Sequence, residues 1–590
     1  MIKESERKWN SMLKIFDKID RRFLNFCVIA VVSLVTFFWT FFSFHKPFIW
    51  VLVLVVIALR MLASFFIFRD YASSWRRSTQ VTYLLKSFVY TVAFVVYLPI
   101  FYGKVEVALL VSELLFFIFC INFLVAVYSY IMNKTRRPKT KSVVIYGAGR
   151  AGTKLREELV NSEYKVEYFI DDASSLHDRN INTVRILSRE EFKKRARGEP
   201  KFSMLLIAIP SASRAQLNSI YEEVGRFFNE IKILPLMGHI VETSGFSGQL
   251  RDIQIEDLLA RDPKDLDKHV IERFVKGKRV MVTGGGGSIG SELVRQCVKN
   301  GAKSVVVVDH SEYNLYRISE EFPDDSVRKV LASVTNDRDL EDLFRETMPE
   351  IVFHAAAYKH VRFCELNPHA AVYNNVVGTK NCIDLAIKYG VRKFVLISTD
   401  KAVRPTSVMG STKRVCELYA QNVDPGESEI VAVRFGNVLG SSGSVVPKFR
   451  KLIKENKPLP VTHPEVKRYF MLISEACQLV LQAASLGKGG EIFILDMGEP
   501  VKIVDLARKM LRLAGKSEDQ IVFTGLDEGE KLYEELLLDD KAKDTKYPSI
   551  FVAKKTPRDL GKLKKEIDEL VTLKEKSQIV EKLGMLIEHL

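Results

Sequence analysis

The tripeptide Thr399-Asp400-Lys401 sets a carboxyl beside an amine, directly after an apolar run at 393–397 that reads as a β-strand. At the end of a central strand, such a pair is placed to give protons to a bound molecule and take them from it. An isolated Asp-Lys dipeptide is more often a solvated surface pair; the strand-end position reverses that preference. Further on, Met409 and Lys413 stand four apart in a helical pattern, so they share one helix face. A different chemistry is offered by Thr283-Gly284-Gly285-Gly286-Gly287-Ser288-Ile289-Gly290. Glycines at 284, 287 and 290 let the backbone approach a pyrophosphate, whose charge would face the N-terminus of the helical run that follows. The next strand, 304–308, ends at Asp309, an acid placed to accept hydrogen bonds from an adenosine ribose. It would repel a 2′-phosphate, which favours NAD over NADP. Ala355, Ala356 and Ala357 follow a further strand at 351–354. The candidate cofactor set is therefore Thr283, Gly284, Gly287, Ser288, Ile289, Gly290, Asp309, these three alanines and Lys413.

The elements that must position these groups alternate strand and helix. Strands at 279–283, 304–308, 351–354, 393–397 and 431–434 each end in a polar cluster, the last in Phe435-Gly436-Asn437. Such alternation predicts a parallel sheet with helices on both faces and ligands at the carboxyl ends of the strands. A second unit of the same kind precedes it. A strand at 142–146 runs into Gly147-Ala148-Gly149-Arg150-Ala151-Gly152, and a strand at 166–170 ends at Asp171-Asp172. A Rossmann-like domain is expected over 141–265 and the catalytic domain over 270–590, with 243–268 as the connection. No residue set in the first of these looks catalytic. A working nucleotide site and a degenerate domain used for packing, assembly or regulation both stay open.

Four apolar runs come first, near 23–44, 47–68, 81–101 and 107–132. Each approaches the roughly 20 residues a helix needs to cross a hydrocarbon core. The first is too long for a cleavable signal, and three more follow it. Basic residues flank them unevenly: Lys3, Arg7, Lys8, Lys14, Lys18, Arg21 and Arg22 before the first, Arg69, Arg76 and Arg77 after the second, and Lys134, Arg136, Arg137, Lys139 and Lys141 after the fourth. By the positive-inside rule both ends of this anchor, residues 1–140, are cytoplasmic. Arg60, Lys86 and Glu113 fall in or near the spans; a structural pair such as Arg60 with Glu113 is favoured over a transport path.

The 590 residues carry a formal net charge of +15. That excess suits an anionic membrane surface and an anionic small substrate. No zinc-finger spacing, RNA-binding aromatic signature or basic repeat is present, so nucleic acid is not expected as a partner. The seven cysteines are scattered, without a CxxC, which argues against a disulfide framework or a structural zinc and suits a reducing cytoplasm. No metal site is expected.

Together, HAAAYKHV, NN..GT, STDKAVRP, GSTKR, RFGNVLGSSGSV and GEKLYEEL resemble the extended short-chain dehydrogenase/reductase superfamily. Within it they are similar to the membrane-anchored nucleotide-sugar 4,6-dehydratases of bacterial polysaccharide and glycoprotein synthesis. The resemblance is nearest to the UDP-N-acetylglucosamine 4,6-dehydratases that begin bacillosamine synthesis in protein glycosylation. It covers essentially the whole chain. It implies an α/β fold with four transmembrane helices and two doubly wound parallel-sheet domains, the second with a smaller substrate-binding subdomain. It also implies NAD as cofactor, a UDP-sugar substrate, the bacterial inner membrane with a cytoplasmic catalytic domain, and a homo-oligomer formed through the soluble domains.

The reaction so implied oxidises C4, eliminates water across C5 and C6, returns the hydride to C6 and uses no external reductant, with retention at C5. The resemblance gives Asp400 the acid role at the C6 hydroxyl and Lys401 the base role at C5, its pKa lowered by burial or a neighbouring cation. Thr399 would orient the C4 oxygen. The superfamily's usual tyrosine base is replaced by Met409, so Asp400, or a water held by Thr399, is left to handle the C4 proton; Lys413 would bind the nicotinamide ribose. Lys359, His360, Asn437 and Arg468 are expected on sugar or phosphate, and Glu530 and Glu534 over the uridine ribose. Two rivals remain: a UDP-sugar 4-epimerase, and a membrane-tethered NAD-binding scaffold.

Overall fold

The computed structural model describes residues 21–68, 80–134, 139–160, 162–235, 246–259, 266–536 and 542–588. The chain divides into two compact units, the first ending at Thr140 and taking in Leu159–Tyr164, the second holding Lys141–Glu158 and the chain from Lys165 onward.

The first unit is built of the helices Arg21–Ser43, Trp50–Ala63 extended by the turn Ser64–Phe68, Gln80–Phe101 and Val107–Lys134. Within them, Asn25–Ser43, Trp50–Phe68, Val81–Phe101 and Val107–Ser129 are long and apolar enough to cross a membrane. Their outer faces present Phe38, Phe42, Leu54, Leu84 and Phe119, side chains that favour lipid over water. Inside, Arg60 and Glu113 are fully buried and form the pair expected of them, with Nη2–Oε2 at 2.6 Å and Nη1–Oε1 at 3.0 Å. Ser33 and Thr36 of the first helix and Tyr97 of the third complete the network, so one polar cluster ties all of these helices together. A charge pair satisfied in this way accounts for two charges buried among apolar helices. Lys3, Arg7, Lys8, Lys14, Lys18, Arg69, Arg76, Arg77, Arg136 and Arg137, on which the expected orientation rests, lie outside the described residues.

The second unit begins with β1 (Lys141–Tyr146), β2 (Tyr164–Ile170), β3 (Asn180–Ile181), β4 (Val184–Leu187), β5 (Phe202–Ile207), β6 (Phe228–Ile233) and β7 (Arg251–Asp252). They form one sheet in the order β3-β4-β2-β1-β5-β6-β7. Pairs β1–β5, β5–β6 and β2–β4 are parallel, whereas β3 and β7 run antiparallel to their neighbours. The segment read as a bare connection therefore contributes an edge strand, and then a short helix, Ile255–Leu259; residues 243–245 and 260–265 lie outside the described residues.

The second sheet contains β8 (Arg279–Thr283), β9 (Ser304–Asp309), β10 (Val327–Leu331), β11 (Ile351–His354), β12 (Lys393–Ile397) and β13 (Glu429–Arg434). The chain then makes β14 (Asn437–Leu439), β15 (Leu459–Val461), β16 (Lys467–Arg468) and β17 (Phe470–Leu472), returns to the sheet as β18 (Ile492–Leu495), and continues through β19 (Val501–Lys502), β20 (Ile521–Phe523), β21 (Lys543–Asp544) and β22 (Ile550–Val552). The sheet order is β10-β9-β8-β11-β12-β13-β18-β22-β21, parallel as far as β18. Strand order reverses between β8 and β11, the switch point at which such sheets bind ligands. Strands β8, β9, β11, β12 and β13 are nearly continuous apolar runs because helices cover both faces. The short pairs β14–β17, β15–β20 and β16–β19 pack with the helices Val445–Lys454 and Ile503–Leu513 into a smaller lobe around Phe449, Leu459 and Leu506. The fold is thus α/β, with four N-terminal apolar helices and two Rossmann-like parallel-sheet domains.

Two local features shape the site. The helix after the glycine turn starts at Ser288, so Ser288, Ile289 and Gly290 form its first turn. The helix Val408–Asn422 is buried from Val408 to Gln421, beneath the C-terminal helices Leu560–Thr572 and Lys576–Glu588. A helix buried on every side can keep Lys413, Arg414 and Glu417 only if each is partnered or faces a cavity.

Candidate active site

A cavity of about 1000 Å³ opens at the carboxyl ends of β8, β11, β12 and β13. Gly284, Gly286, Gly287, Ser288, Ile289 and Gly290 line one end, at the N-terminus of the helix Ser288–Lys299. Gly290 is required for close approach, because a Cβ there would lie 2.1 Å from the Gly284 carbonyl oxygen. Ala355 and Ala357 are also on the wall, whereas Thr283, Ala356 and Asp309 stand behind it. Asp309 is buried, with Oδ2 accepting the Gly286 N–H at 3.0 Å and Oδ1 the Ser311 N–H at 2.9 Å. It holds the glycine turn in shape, a role the strand-end position alone did not reveal. Thr283 Oγ1 meets His354 Nδ1 at 2.8 Å, and His354 Nε2 meets Thr379 Oγ1 at 3.0 Å. Burial, with the nearby Lys413 charge, pushes His354 down to about 3, so this ring is neutral. An N–H-rich turn, a positive helix end, a flat alanine wall and a buried lysine form a cradle that fits NAD.

The first domain repeats the tether: Ala148 N–H donates to Asp171 Oδ2 at 2.7 Å, and Ala173 N–H to Oδ1 at 2.9 Å. Its neighbour Asp172 is engaged by Tyr146 and Arg189.

Beside the cradle, β12 delivers Thr399, Asp400 and Lys401 into a single turn. Asp400 is fully buried; its Oδ1 accepts from Thr399 Oγ1 at 2.9 Å and from Lys401 Nζ at 3.0 Å. Its Oδ2 is buried without a hydrogen-bond partner. Thr399 and Lys401 line the cavity, and Asp400 stands behind them. Gly436, also on the wall, packs against this oxygen: a Cβ there would sit 3.0 Å from Asp400 Oδ2, 3.2 Å from Tyr469 Cβ and 3.3 Å from Met497 Cε. Substituting Gly436→Ala is therefore expected to displace the Asp400 carboxylate and lower kcat by about 100-fold, with NAD affinity unchanged; steady-state rates and NAD titration check both halves.

Lys401 Nζ also reaches Asn437 Oδ1 and Glu534 Oε1, each at 3.2 Å. The expected lowering of its pKa is not what the structure shows. Burial alone would depress the ammonium, but the carboxylates of Asp400 and Glu534 outweigh it and hold the pKa above the usual lysine value. Lys401 therefore rests as an ammonium. Beyond it, Arg468 Nε lies 3.6 Å from Glu534 Oε1 and Nη2 lies 2.9 Å from Glu530 Oε1. Asp400, Lys401, Glu534, Arg468 and Glu530 thus form one charged chain, although the sequence presents them as separate motifs. The Arg468 guanidinium lines the cavity but is already engaged by carboxylates. Glu530 is on the wall, while Glu534 turns towards Lys401 and Arg468.

Met409 and Lys413 share the cavity wall, as their spacing implies, and both are buried. Burial pushes the Lys413 ammonium down. Lys359, His360 and Asn437 are on the wall too, the first two with pKa values lowered by burial, and His360 further by Lys359. Lys359 Nζ donates to Ser441 Oγ at 3.4 Å, and Ser442 N–H donates to Ser288 Oγ at 3.1 Å. The Ser441-Ser442 turn so joins the glycine turn to the opposite wall; neither serine was singled out from the sequence.

Sequence reasoning also missed the support below the turn. Glu417 receives Arg434 Nε and Nη2, each at 2.6 Å, Ser398 Oγ at 2.7 Å and Arg414 Nη1 at 3.2 Å. Ser398 directly precedes Thr399, so this network fixes the end of β12. A faint signal existed: Glu417 lies four residues beyond Lys413, and Arg434 ends an otherwise apolar strand.

Residues 280–555 match the model of a family described as "Polysaccharide biosynthesis protein". The chain is 40% identical over 465 residues to the "Probable polysaccharide biosynthesis protein EpsC" of Bacillus subtilis (strain 168), covering 76% of this chain and 78% of that protein. It is 42% identical over 415 residues to the "Capsular polysaccharide biosynthesis protein CapD" of Staphylococcus aureus, covering 67% and 68% respectively. Over 268 residues it is 33% identical to the "UDP-glucose 4-epimerase" of Rickettsia massiliae (strain Mtu5), covering 44% of this chain and 77% of that one. The chain belongs to this family of polysaccharide biosynthesis proteins.

Proposed function

We propose that the chain is an NAD-dependent 4,6-dehydratase of UDP-N-acetylglucosamine, feeding polysaccharide or protein glycosylation. The single observation that carries this reading is the Asp400–Lys401 ion pair at the end of β12, on a cavity shared with the glycine cradle. An enzyme that only moved hydride at C4 would have no use for an acid and a base side by side. Gly284, Gly287, Ser288, Ile289, Gly290, Ala355, Ala357 and Lys413 would hold NAD, which when bound accepts the C4 hydride and gives it back at C6.

The chain's own residues move the protons. The C4 hydroxyl proton passes through Thr399 Oγ1 to Asp400, along the 2.9 Å contact. Lys401, as the amine, takes the C5 proton, made acidic by the 4-ketone. Asp400 gives its proton to the C6 oxygen, and water leaves. Lys401 then returns its proton to C5. One base working on one face retains the configuration there. Lys413 stands in the cavity as positive charge beside the developing alkoxide, which a methionine at 409 cannot supply. Lys359, His360, Asn437 and Glu530 line the remaining wall, where the sugar and diphosphate would sit.

In this reading residues 1–140 anchor the enzyme as a multi-pass protein of the bacterial inner membrane, 141–265 form an accessory Rossmann-like domain, and 270–590 form a cytoplasmic catalytic domain that assembles into homo-oligomers. The similarity to a 4-epimerase favours one other reading, C4 inversion without loss of water. The full chain, supplied with UDP-N-acetylglucosamine and no reductant, is expected to give a product one water lighter by mass spectrometry. A product of unchanged mass would refute the dehydratase reading.

A further inference from the structure

The proton cycle just described leaves one proton unplaced. Lys401 rests as an ammonium between carboxylates, yet it must be an amine when it meets C5. Asp400 cannot take that proton, because by then it carries the one from the C4 hydroxyl. The groups facing Lys401 Nζ are Asp400 from its own turn, Asn437 from β14, Glu534 from the segment after β20 and, beyond Glu534, Arg468 from β16. An asparagine and an arginine take up no proton at neutral pH. Glu534 remains: Oε1 is 3.2 Å from Lys401 Nζ, and the side chain is 3% exposed. Its Oε2 is buried without a hydrogen-bond partner. Its Oε1 is thus the atom placed to take a proton from Lys401 Nζ.

We propose that Glu534 is a positioning residue that fixes Lys401 at rest and holds its proton while Lys401 works at C5. This rests on the dehydratase reading and deepens it. The cycle then closes. At rest the three groups are Asp400 carboxylate, Lys401 ammonium and Glu534 carboxylate. Asp400 receives the C4 hydroxyl proton as C4 is oxidised, and Lys401 hands its own proton to Glu534. In the elimination the C5–H bond breaks and its proton joins the Lys401 amine. The C5 electron pair forms the C5–C6 double bond, and the C6–O bond breaks onto an oxygen protonated by Asp400. On reduction C6 takes the hydride, C5 takes the proton from Lys401, and Glu534 returns the stored proton to Lys401. The sugar has lost one water, and every protein group is as it began. Arg468, on the far side of Glu534, holds that carboxylate in place between turnovers.

The sign of the effect is fixed by charge. A carboxylate beside an ammonium stabilises the charged form, so removing it makes Lys401 easier to deprotonate. The test uses the full chain in detergent with NAD, comparing wild type with Glu534→Gln by two readouts. Competitive acetylation with peptide mass spectrometry follows the reactivity of Lys401 against pH and needs no turnover. Its midpoint is expected to fall by about one pH unit in the variant. The second readout is kcat against pH. With no group to store its proton, Lys401 must lose it to solvent, so the variant is expected to be about 10–100-fold slow at low pH and to approach wild type as pH rises.

An unmoved midpoint overturns the proposal. So does a rate defect of equal size at every pH, or one confined to KM, as a ribose ligand would give. If the glutamine variant does not bind NAD, Glu534→Met, apolar and of similar volume, is read in the same two ways. Wild-type protein that forms no dehydrated product contradicts the dehydratase reading itself, and the acetylation midpoint still decides whether Glu534 governs Lys401.

Discussion

Replacing Asp400 by asparagine is expected to lower kcat by about 10²–10⁴-fold, the range for loss of a positioned proton-transfer group, while NAD binding is retained. Asparagine keeps the volume of a fully buried side chain and can still accept from Thr399 Oγ1 and Lys401 Nζ. It cannot carry a proton to the C6 oxygen. Lys401→Met, which preserves the length of the stem on the cavity wall, is expected to fall as far. Because the two groups act in one step, the double variant should be little worse than either single one. Asp400 stands behind the wall and Lys401 on it, so neither change disturbs the glycine cradle, and NAD titration separates lost chemistry from lost cofactor. Near-normal turnover in both single variants would contradict the assigned roles.

The second large effect is on stability. Glu417 and Arg434 are both buried, joined by two contacts of 2.6 Å, and Ser398 and Arg414 complete the carboxylate's partners. Burial alone would raise the Glu417 carboxyl, but Arg434 and then Arg414 outweigh it and keep it ionised. Glu417→Gln leaves Arg434 and Arg414 facing a neutral side chain in a dry interior, at a cost of about 3–5 kcal/mol; Arg434→Met leaves Glu417 with Arg414 and Ser398 and should cost less. The double variant should cost less than the sum, since it removes both members of the 2.6 Å pair and only Arg414 loses a charged partner. Calorimetry of the NAD-bound protein measures this directly. Activity should fall along with stability, because Ser398 is the last fixed point before Thr399. A double variant as unstable as the sum of the singles would show that the pair is not coupled.

The parts of the fold written in local pattern were legible in the sequence. Apolar runs without alternation marked strands covered on both faces, and the glycines at 284, 287 and 290 marked the turn between strand and helix. Four long apolar stretches became the helices of the first unit, and Arg60 found Glu113. Candidate site residues were legible for the same reason: Thr399, Lys401, Lys413 and Asn437 sit at strand ends or on the helix that follows, and the sheet brings such ends to one cavity. What could not be read were encounters between distant segments. Nothing near Lys401 announces Glu534, so the direction of its pKa was expected wrongly from burial when two carboxylates decide it. Gly436 reads as part of a turn until its missing Cβ is seen to leave room for Asp400 Oδ2. Asp309 reads as a ribose ligand from its strand end; that its oxygens also hold the glycine turn could not be read. The connection at 243–268 contributes β7, because a charged stretch can still donate an edge strand where one face is solvated.

The central claim concerns where a hydride and a water molecule go, and an isotope follows both. The full chain, with NAD and no reductant, is given UDP-N-acetylglucosamine carrying deuterium at C4. The expected product is a 4-keto-6-deoxy sugar nucleotide, one water lighter, with the deuterium in its C6 methyl group by NMR. A product of undiminished mass that keeps deuterium at C4 with that centre inverted, or unchanged substrate beside bound NAD, would contradict the account.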